Sequence, residues 1–329
     1  MALFTFISGY FFKDIKIKEF INKKTNKLIL TYLMWNTIYG VIVNLLNKTG
    51  IINFGKPLTL YNLFIAPFST DSNQFNFNTP AWFLITIYFI QCIYLLINKF
   101  NKIIKIETKY AVCIITIVIA TVELSMVGKG CNYGFWHLIT RVCFLMPFYA
   151  LGQIYKVIEK YDKLNNYAYF IILIVIQAIL LQKFKNLKYN LNTLYFKHDY
   201  IVYIISSITG ISFWLRISRI LEKYIGNNKI INYIGNNTYS VMMHHVFAFY
   251  ILNTLIGIIY KFSGRFGDFD VNEYKTTIWY VYNGNNSALS LIYVIFGVAL
   301  PIFMKYIVID KFRIPSIITS KCKTFLKNK

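Results

Sequence analysis

The chain has four histidines, and two of them end the stretch Gly235–His245, which reads Gly-Asn-Asn-Thr-Tyr-Ser-Val-Met-Met-His-His. Thr238 follows a Gly-Asn-Asn turn and is a good N-cap for an apolar helix that is predicted to reach about Tyr260. His244 and His245 then lie about two turns inside that helix. Imidazole titrates near neutral pH, so a histidine inside an apolar helix indicates general acid–base chemistry. The alternative is a histidine that only hydrogen-bonds a neighbouring helix.

A second polar pair lies on another apolar segment. His137 and Arg141 are four residues apart, so they share one face of the predicted helix 135–155. A buried Arg141 is either half of a structural ion pair, for which Glu123 is a candidate partner, or a clamp for an anion or oxyanion. The clamp is the favoured interpretation for Arg141. His137 stands at the helix start, where a plain interfacial role is favoured.

The composition defines the class of protein that must position these side chains. Of the 329 residues, 57% are hydrophobic and 19% aromatic, and the mean hydropathy is +0.49. The apolar residues form long blocks separated by Lys/Asn-rich connectors, which predicts a polytopic protein with the lipid bilayer as its partner. The net charge of +22 comes from lysines that flank apolar spans, so membrane topology explains it better than nucleic acid. The five cysteines show no C-x-x-C spacing, and no metal site or disulfide framework is predicted.

The predicted fold class is all-α, a polytopic transmembrane helical bundle in one domain, residues 1–329. A membrane span needs about 20 apolar residues. The first block, Met1–Phe12, is therefore a partial span, and the basic amphipathic stretch Lys13–Lys27 is expected to lie along the membrane surface. Eight full spans are predicted: Leu28–Leu46, Ala81–Asn98, Tyr110–Val127, Phe135–Tyr155, Tyr167–Gln182, Tyr200–Ile217, Tyr239–Tyr260 and Ser287–Val308.

The orientation follows from the distribution of Lys and Arg among the connectors. One alternate set of connectors carries 22 of these residues and comprises 13–27, 99–109, 156–166, 218–238 and 309–329. The other set carries 10 and comprises 47–80, 128–134, 183–199 and 261–286. The richer set is expected to be cytoplasmic, which places the carboxy terminus in the cytoplasm. The two long connectors of the other set, 47–80 and 261–286, are expected to be mainly solvated loops.

Four stretches carry a resemblance to a known family. They are Phe4–Tyr10 (Phe-Thr-Phe-Ile-Ser-Gly-Tyr), Pro80–Leu84 (Pro-Ala-Trp-Phe-Leu), Arg141 followed by Pro147–Gly152 (Pro-Phe-Tyr-Ala-Leu-Gly), and Thr238–His245 (Thr-Tyr-Ser-Val-Met-Met-His-His). In this order, and on this hydropathy profile, they resemble the integral-membrane acyltransferase family 3. That family consists of membrane O-acyltransferases that modify bacterial surface glycans.

The resemblance implies a function and a site. The implied protein is a multi-pass enzyme of the bacterial plasma membrane that takes acetyl-CoA or another acyl-CoA from the cytoplasm as co-substrate, with no bound cofactor. The implied acceptor is a sugar hydroxyl on a surface polysaccharide or its lipid-linked precursor. His245 aligns with the family's histidine and is the expected catalytic residue, facing inward. The expected substrate-binding residues are Arg141, His137, His244, Trp82 and Tyr239. His244, about 100° round the helix from His245, is expected to pack or to support it, and an interfacial aromatic belt is the alternative for Trp82.

Two alternatives to an active acyltransferase stay open. The family's first span carries an Arg and a His about ten residues apart, and that His is the family's presumed catalytic base. This chain is expected to lack that span because it begins within the second. An inactive truncated homologue is therefore one alternative. The other is an exporter of glycan or lipid, although paired Gly/Pro-broken spans typical of transporters are not evident.

Overall fold

The computed structural model describes residues 1–69, 74–103, 108–128, 133–282 and 287–307. Helices account for most of this part of the chain, and one two-stranded antiparallel hairpin joins two of them. The elements are α1 Ala2–Tyr10, α2 Ile17–Lys24, α3 Thr31–Lys48, α4 Leu60–Phe64, α5 Ala66–Ser69, α6 Trp82–Ile103, α7 Thr108–Gly128, α8 Trp136–Ile158, α9 Asn166–Lys183, β1 Tyr189–Asn190, β2 Tyr195–Phe196, α10 Tyr200–Ile225, α11 Lys229–Asn236, α12 Thr238–Ser263, α13 Val271–Thr276 and α14 Ser287–Lys305.

Each of the eight predicted spans coincides with a helix. Within the described residues, seven helices are long and apolar enough to cross a membrane. The remaining predicted span, Tyr110–Val127, corresponds to α7, in which Val112–Glu123 forms a shorter apolar stretch. The prediction of an all-α polytopic membrane protein is therefore confirmed. The carboxy-terminal segment 309–329, which is predicted to be cytoplasmic, lies outside the described residues.

The amphipathic stretch after α1 is continuous with the first full span. Helix α2 continues through a π-helical turn, Thr25–Leu30, into α3, so that Ile17–Lys48 is one helix of 32 residues. Its position along the membrane surface stays a prediction. No glycine or proline interrupts residues 17–39, and nothing in the local sequence ends the helix there.

The described chain divides into two compact units that alternate along the sequence. The first unit comprises Met1–Ile29, Ile65–Ser72 and Trp82–Asn227, and the second comprises Leu30–Phe64, Asn73–Ala81 and Asn228–Lys329. In the first unit, α8 packs against α1, α6 and α7, and α9 packs against α10.

Two glycines bring α1 and α8 into backbone contact in the first unit. A β-carbon at Gly9 would overlap the carbonyl of Tyr149, and one at Gly152 would overlap the carbonyl of Phe6. The side chain of Gln153 also donates a hydrogen bond to the carbonyl of Gly9. Small residues allow helix backbones to approach closely in membranes, and this pair is the contact that positions α8.

Charged connectors meet at one end of the first unit. Asp14 binds Lys102 and, at 2.7 Å, Lys99, and the hydrogen bonds from Lys102 and Lys99 hold the pKa of that carboxyl below its usual range. Arg216 binds Asp162 through both carboxylate oxygens, at 2.7 and 2.8 Å. The first contact joins two connectors that the charge distribution assigns to one side of the membrane, and the second joins a connector of the same set to the end of the span Tyr200–Ile217.

In the second unit, the expectation of solvated connectors is wrong for part of each long segment. Phe75 and Phe77 are completely buried. The ring centroid of Phe77 lies 5.1 Å from that of Phe247 and 4.9 Å from that of Tyr250, both on α12. A separate cluster buries four aromatic side chains and one isoleucine, namely Ile256, Phe269, Tyr280, Tyr282 and Tyr293. The connectors pack because their aromatic residues gain more from burial than from water. The connector 261–286 also contains charged residues that are exposed, as expected for a solvated loop. They are Arg265, Asp268, Asp270 and Glu273.

Candidate functional site

The second unit holds a buried imidazole on α12. His244 is 1% exposed, and its Nδ1 lies 2.6 Å from the hydroxyl of Tyr39 on α3. The ring of Trp35 meets the imidazole edge-on at a centroid distance of 4.2 Å. His244 is buried because it follows Ser240 by one helical turn on the buried face of α12. The contacts with Tyr39 and Trp35 fix the imidazole plane.

Helix α3 presents an aromatic stripe to this imidazole. Tyr32, Trp35 and Tyr39 recur at helical spacing and are 0–3% exposed. The indole Nε1 of Trp35 is buried and makes no hydrogen bond in the described part of the chain. The hydroxyl of Tyr239, near the start of α12, is also buried, and it has no hydrogen-bond partner among the residues that the structure describes. Unpaired buried donors cost free energy, so both groups would gain from an acceptor oxygen brought in by a substrate.

His245 has different surroundings from those expected. It is half-buried, its Nδ1 lies 2.9 Å from the carbonyl of Val241 in its own helix, and its ring stands 5.7 Å from Phe249. The expected orientations of the two histidines are therefore reversed: His244 faces the packed interior, and His245 points about 100° away from it. The catalytic role of His245 stays a prediction.

Which nitrogen of His244 can act as a base depends on the tautomer that the imidazole adopts in its hydrogen bond with Tyr39. When Nδ1–H donates to the Tyr39 oxygen, Nε2 carries the free lone pair. Among the described residues, Nε2 of His244 makes no hydrogen bond. An imidazole held through Nδ1 with Nε2 unoccupied is the arrangement of an oriented general base.

In the first unit, Arg141 is a buried cation bound by backbone carbonyls. It is 1% exposed; Nε donates to the carbonyl of Leu191 at 3.0 Å, and Nη2 donates to the carbonyl of Asn192 at 2.6 Å. The guanidinium also lies over the ring of Trp82, 4.9 Å from its centroid. These contacts connect α8 to the β1–β2 hairpin and to the start of α6. Trp82 is buried beneath the cation, which does not fit the alternative of an aromatic belt.

The remaining candidates of the first unit lie on α7 and α8. Glu123 on α7, the candidate ion-pair partner, instead accepts a hydrogen bond from Thr140 at 2.7 Å, and its second carboxylate oxygen is buried without a hydrogen-bond partner among the described residues. His137 is half-buried one turn before Arg141. The structure thus brings Arg141 and Trp82 together, and it places His244, His245 and Tyr239 on α12 in the other unit.

The sequence did not identify the groups that contact His244 and Arg141. They are Tyr39 and Trp35 beside His244, and the hairpin carbonyls of residues 191 and 192 beside Arg141. The aromatic spacing on α3 was a usable signal for the first two. Nothing in the sequence indicates that backbone carbonyls 50 residues away bind Arg141. Within the described residues, no group of three or more His, Cys, Asp or Glu side chains converges in a way that could hold a metal ion.

Comparison with known proteins gives one match. The model of a family described as an acyltransferase domain, acyltransferase 3, matches residues 1–309. No curated protein and no solved structure matches the chain. The matched range contains both compact units' candidate residues, including His244 and Arg141.

Proposed function

Because the chain belongs to the acyltransferase 3 family, we propose that it is a membrane O-acyltransferase. It moves an acetyl or other short acyl group from acyl-CoA, taken from the cytoplasm, to a sugar hydroxyl. The acceptor is a polysaccharide of the bacterial cell surface or its lipid-linked precursor. The apolar helices, which are long enough to span a membrane, support a reaction at the bilayer.

The observation that carries the proposed chemistry is the hydrogen bond between buried His244 and Tyr39. His244 takes the proton of the acceptor hydroxyl at Nε2, and the sugar oxygen attacks the thioester carbonyl. The carbon–sulfur bond then breaks, and the thiolate of CoA takes the proton back from the imidazolium. The products are the sugar ester and free CoA, so atoms and charge balance. General base catalysis of this kind contributes about 10²–10⁴-fold to the rate.

His244 is favoured over His245 in this role because of its surroundings. A base needs a fixed orientation, which Tyr39 and Trp35 supply to His244. Among the described residues, the hydrogen-bond partner of His245 is the carbonyl of Val241 in its own helix. His245 remains the second candidate, since the family resemblance aligns it with a histidine of the motif.

The test compares the two histidines in membranes that contain the chain. Radiolabelled acetyl-CoA and total cell-envelope glycan are supplied, and label in the glycan is measured per amount of folded protein. We expect His244→Gln to lower transfer by about 10²-fold or more and His245→Gln to retain most of it. A loss confined to His245→Gln would make His245 the base, and absence of transfer by the unchanged chain would contradict the acyltransferase proposal.

A further inference from the structure

The first unit contains a cavity that the proposed transfer reaction leaves unused. Its volume is about 730 Å³, within the range of about 300–1,000 Å³ that is typical of small-molecule sites. It lies between α7, the connector that follows α9 and the start of α10. Its lining includes Phe184, Phe196, Lys197, His198, Asp199 and Tyr200.

The polar side chains of this cavity have hydrogen-bonding capacity to spare. Asp199 is exposed to solvent at the N-cap position of α10, and its carboxylate makes no capping bond and no other hydrogen bond or ion pair with the described residues. The ammonium group of Lys197 is also exposed and makes no hydrogen bond or ion pair with the described residues. His198 donates Nε2–H to the carbonyl of Lys185 at 2.9 Å, which leaves Nδ1 of the neutral ring as an acceptor. The cavity therefore offers acceptors and donors to hydroxyl groups.

Aromatic rings form the apolar part of the same cavity. The ring of Phe196 lies 5.1 Å from that of Tyr200 and 5.7 Å from that of Phe144 on α8. Phe184 stands edge-on to His198 at 5.5 Å. Rings held by such contacts present a rigid apolar surface. A ligand for this lining needs one hydrocarbon face and a rim of hydroxyl groups.

These features identify the class of ligand as a sugar. A pyranose ring has a face of C–H groups that packs on aromatic rings and a rim of hydroxyls that bind carboxylate, imidazole and ammonium. The cavity's formal charges, Lys197 and Asp199, cancel, which disfavours a phosphate-rich ligand such as a nucleotide. A lipid tail would leave the polar groups unpaired.

The cavity also lies close to the buried arginine. Phe144, which backs Phe196, follows Arg141 by three residues on α8, and Arg141 binds the turn of the hairpin that ends at Phe196. We infer that this cavity binds a sugar ring of the acceptor glycan, an inference that rests on the proposed O-acyltransferase function. The connector 183–199 belongs to the set predicted to be extracytoplasmic, which is where a surface glycan is found.

The test measures glycan binding without any acyl donor. The full chain in lipid nanodiscs is applied to an array of bacterial surface oligosaccharides, and affinities are measured for the glycans that bind. We expect Asp199→Ala and Phe184→Ala to weaken binding at least tenfold. The matched control Asp268→Ala removes an exposed carboxylate from another connector and should leave affinity unchanged.

Two outcomes would overturn the inference. It is overturned if no glycan on the array binds the unchanged chain, or if Asp199→Ala and Phe184→Ala bind as tightly as the unchanged chain. Thermal unfolding in nanodiscs checks that each variant is folded, and Lys197→Ala replaces Asp199→Ala if that variant is not. His244→Gln should bind glycan normally, so a loss of transfer with intact binding in this variant would bear on the catalytic proposal alone. Unchanged binding and intact transfer in Asp199→Ala would contradict the cavity inference and leave the catalytic proposal standing.

Discussion

At the scale of single residues, the two adjacent histidines show what a sequence can and cannot assign. The sequence correctly predicts an apolar helix that contains both of them. It does not decide which one faces the interior, because that depends on the packing face of α12, defined by Ser240, Met243 and Tyr250. The partner, Tyr39, lies 205 residues away in the chain. No local pattern identifies a contact of that separation.

Arg141 gives a prediction at the same scale. Its guanidinium donates to two carbonyls of the hairpin turn through a planar fork, and the ammonium group of lysine cannot reproduce that geometry. We expect Arg141→Lys to loosen the hairpin 189–196. A hydrogen bond from a charged group contributes about 1.5–3 kcal/mol, so amide hydrogen exchange in the hairpin should accelerate by about tenfold or more.

The control for this experiment is Arg265→Lys, which makes the same chemical change at an exposed arginine. Hydrogen exchange followed by mass spectrometry should show no change there at 189–196. Equal protection of the hairpin in Arg141→Lys and in the unchanged chain would mean that Arg141 does not hold the turn in place. Its burial would then need a different explanation, such as the predicted anion clamp.

At the scale of helices, the sequence predicted which segments form helices better than it predicted where the helices end or what they contact. All eight spans coincide with helices because long apolar blocks must satisfy their backbone groups internally in lipid. The connectors were harder, because a polar run such as Asn73–Asn78 hides two phenylalanines whose burial depends on α12. Hydropathy averages over that run and cannot find them.

The crossing of α1 and α8 gives a prediction at the scale of helices. A β-carbon at Gly9 would overlap the backbone of Tyr149, and a backbone cannot move aside as a flexible side chain does. We expect Gly9→Ala to destabilise the protein by roughly 1–3 kcal/mol, as overpacking does, and to lower the midpoint of thermal unfolding in detergent.

The matched control is Gly210→Ala in α10. A β-carbon at Gly210 would meet nothing within 4 Å, and alanine is the better helix former by about 1 kcal/mol. This variant should unfold at the same temperature as the unchanged chain or at a higher one. If Gly9→Ala were as stable as Gly210→Ala, α1 and α8 would not be in backbone contact.

At the scale of the whole molecule, contacts within the first unit test the relative topology. Asp14 reaches Lys99 and Lys102, so the connector after α1 and the end of α6 lie on the same side. Arg219 reaches Glu159 and Asp162, which does the same for the connectors that follow α8 and α10. These pairings agree with the alternate sets drawn from the Lys and Arg count.

The side that faces the cytoplasm is the last prediction. The richer set of connectors contains Lys18, and the poorer set contains Lys188, and both side chains are exposed. In a chain whose native cysteines are replaced by serine, Lys18→Cys and Lys188→Cys each add one thiol. With a membrane-impermeant maleimide on intact cells, we expect labelling of Lys188→Cys, and labelling of Lys18→Cys only after permeabilisation. The reverse pattern would invert the topology and would place the cavity beside Asp199 in the cytoplasm, where a surface glycan could not reach it.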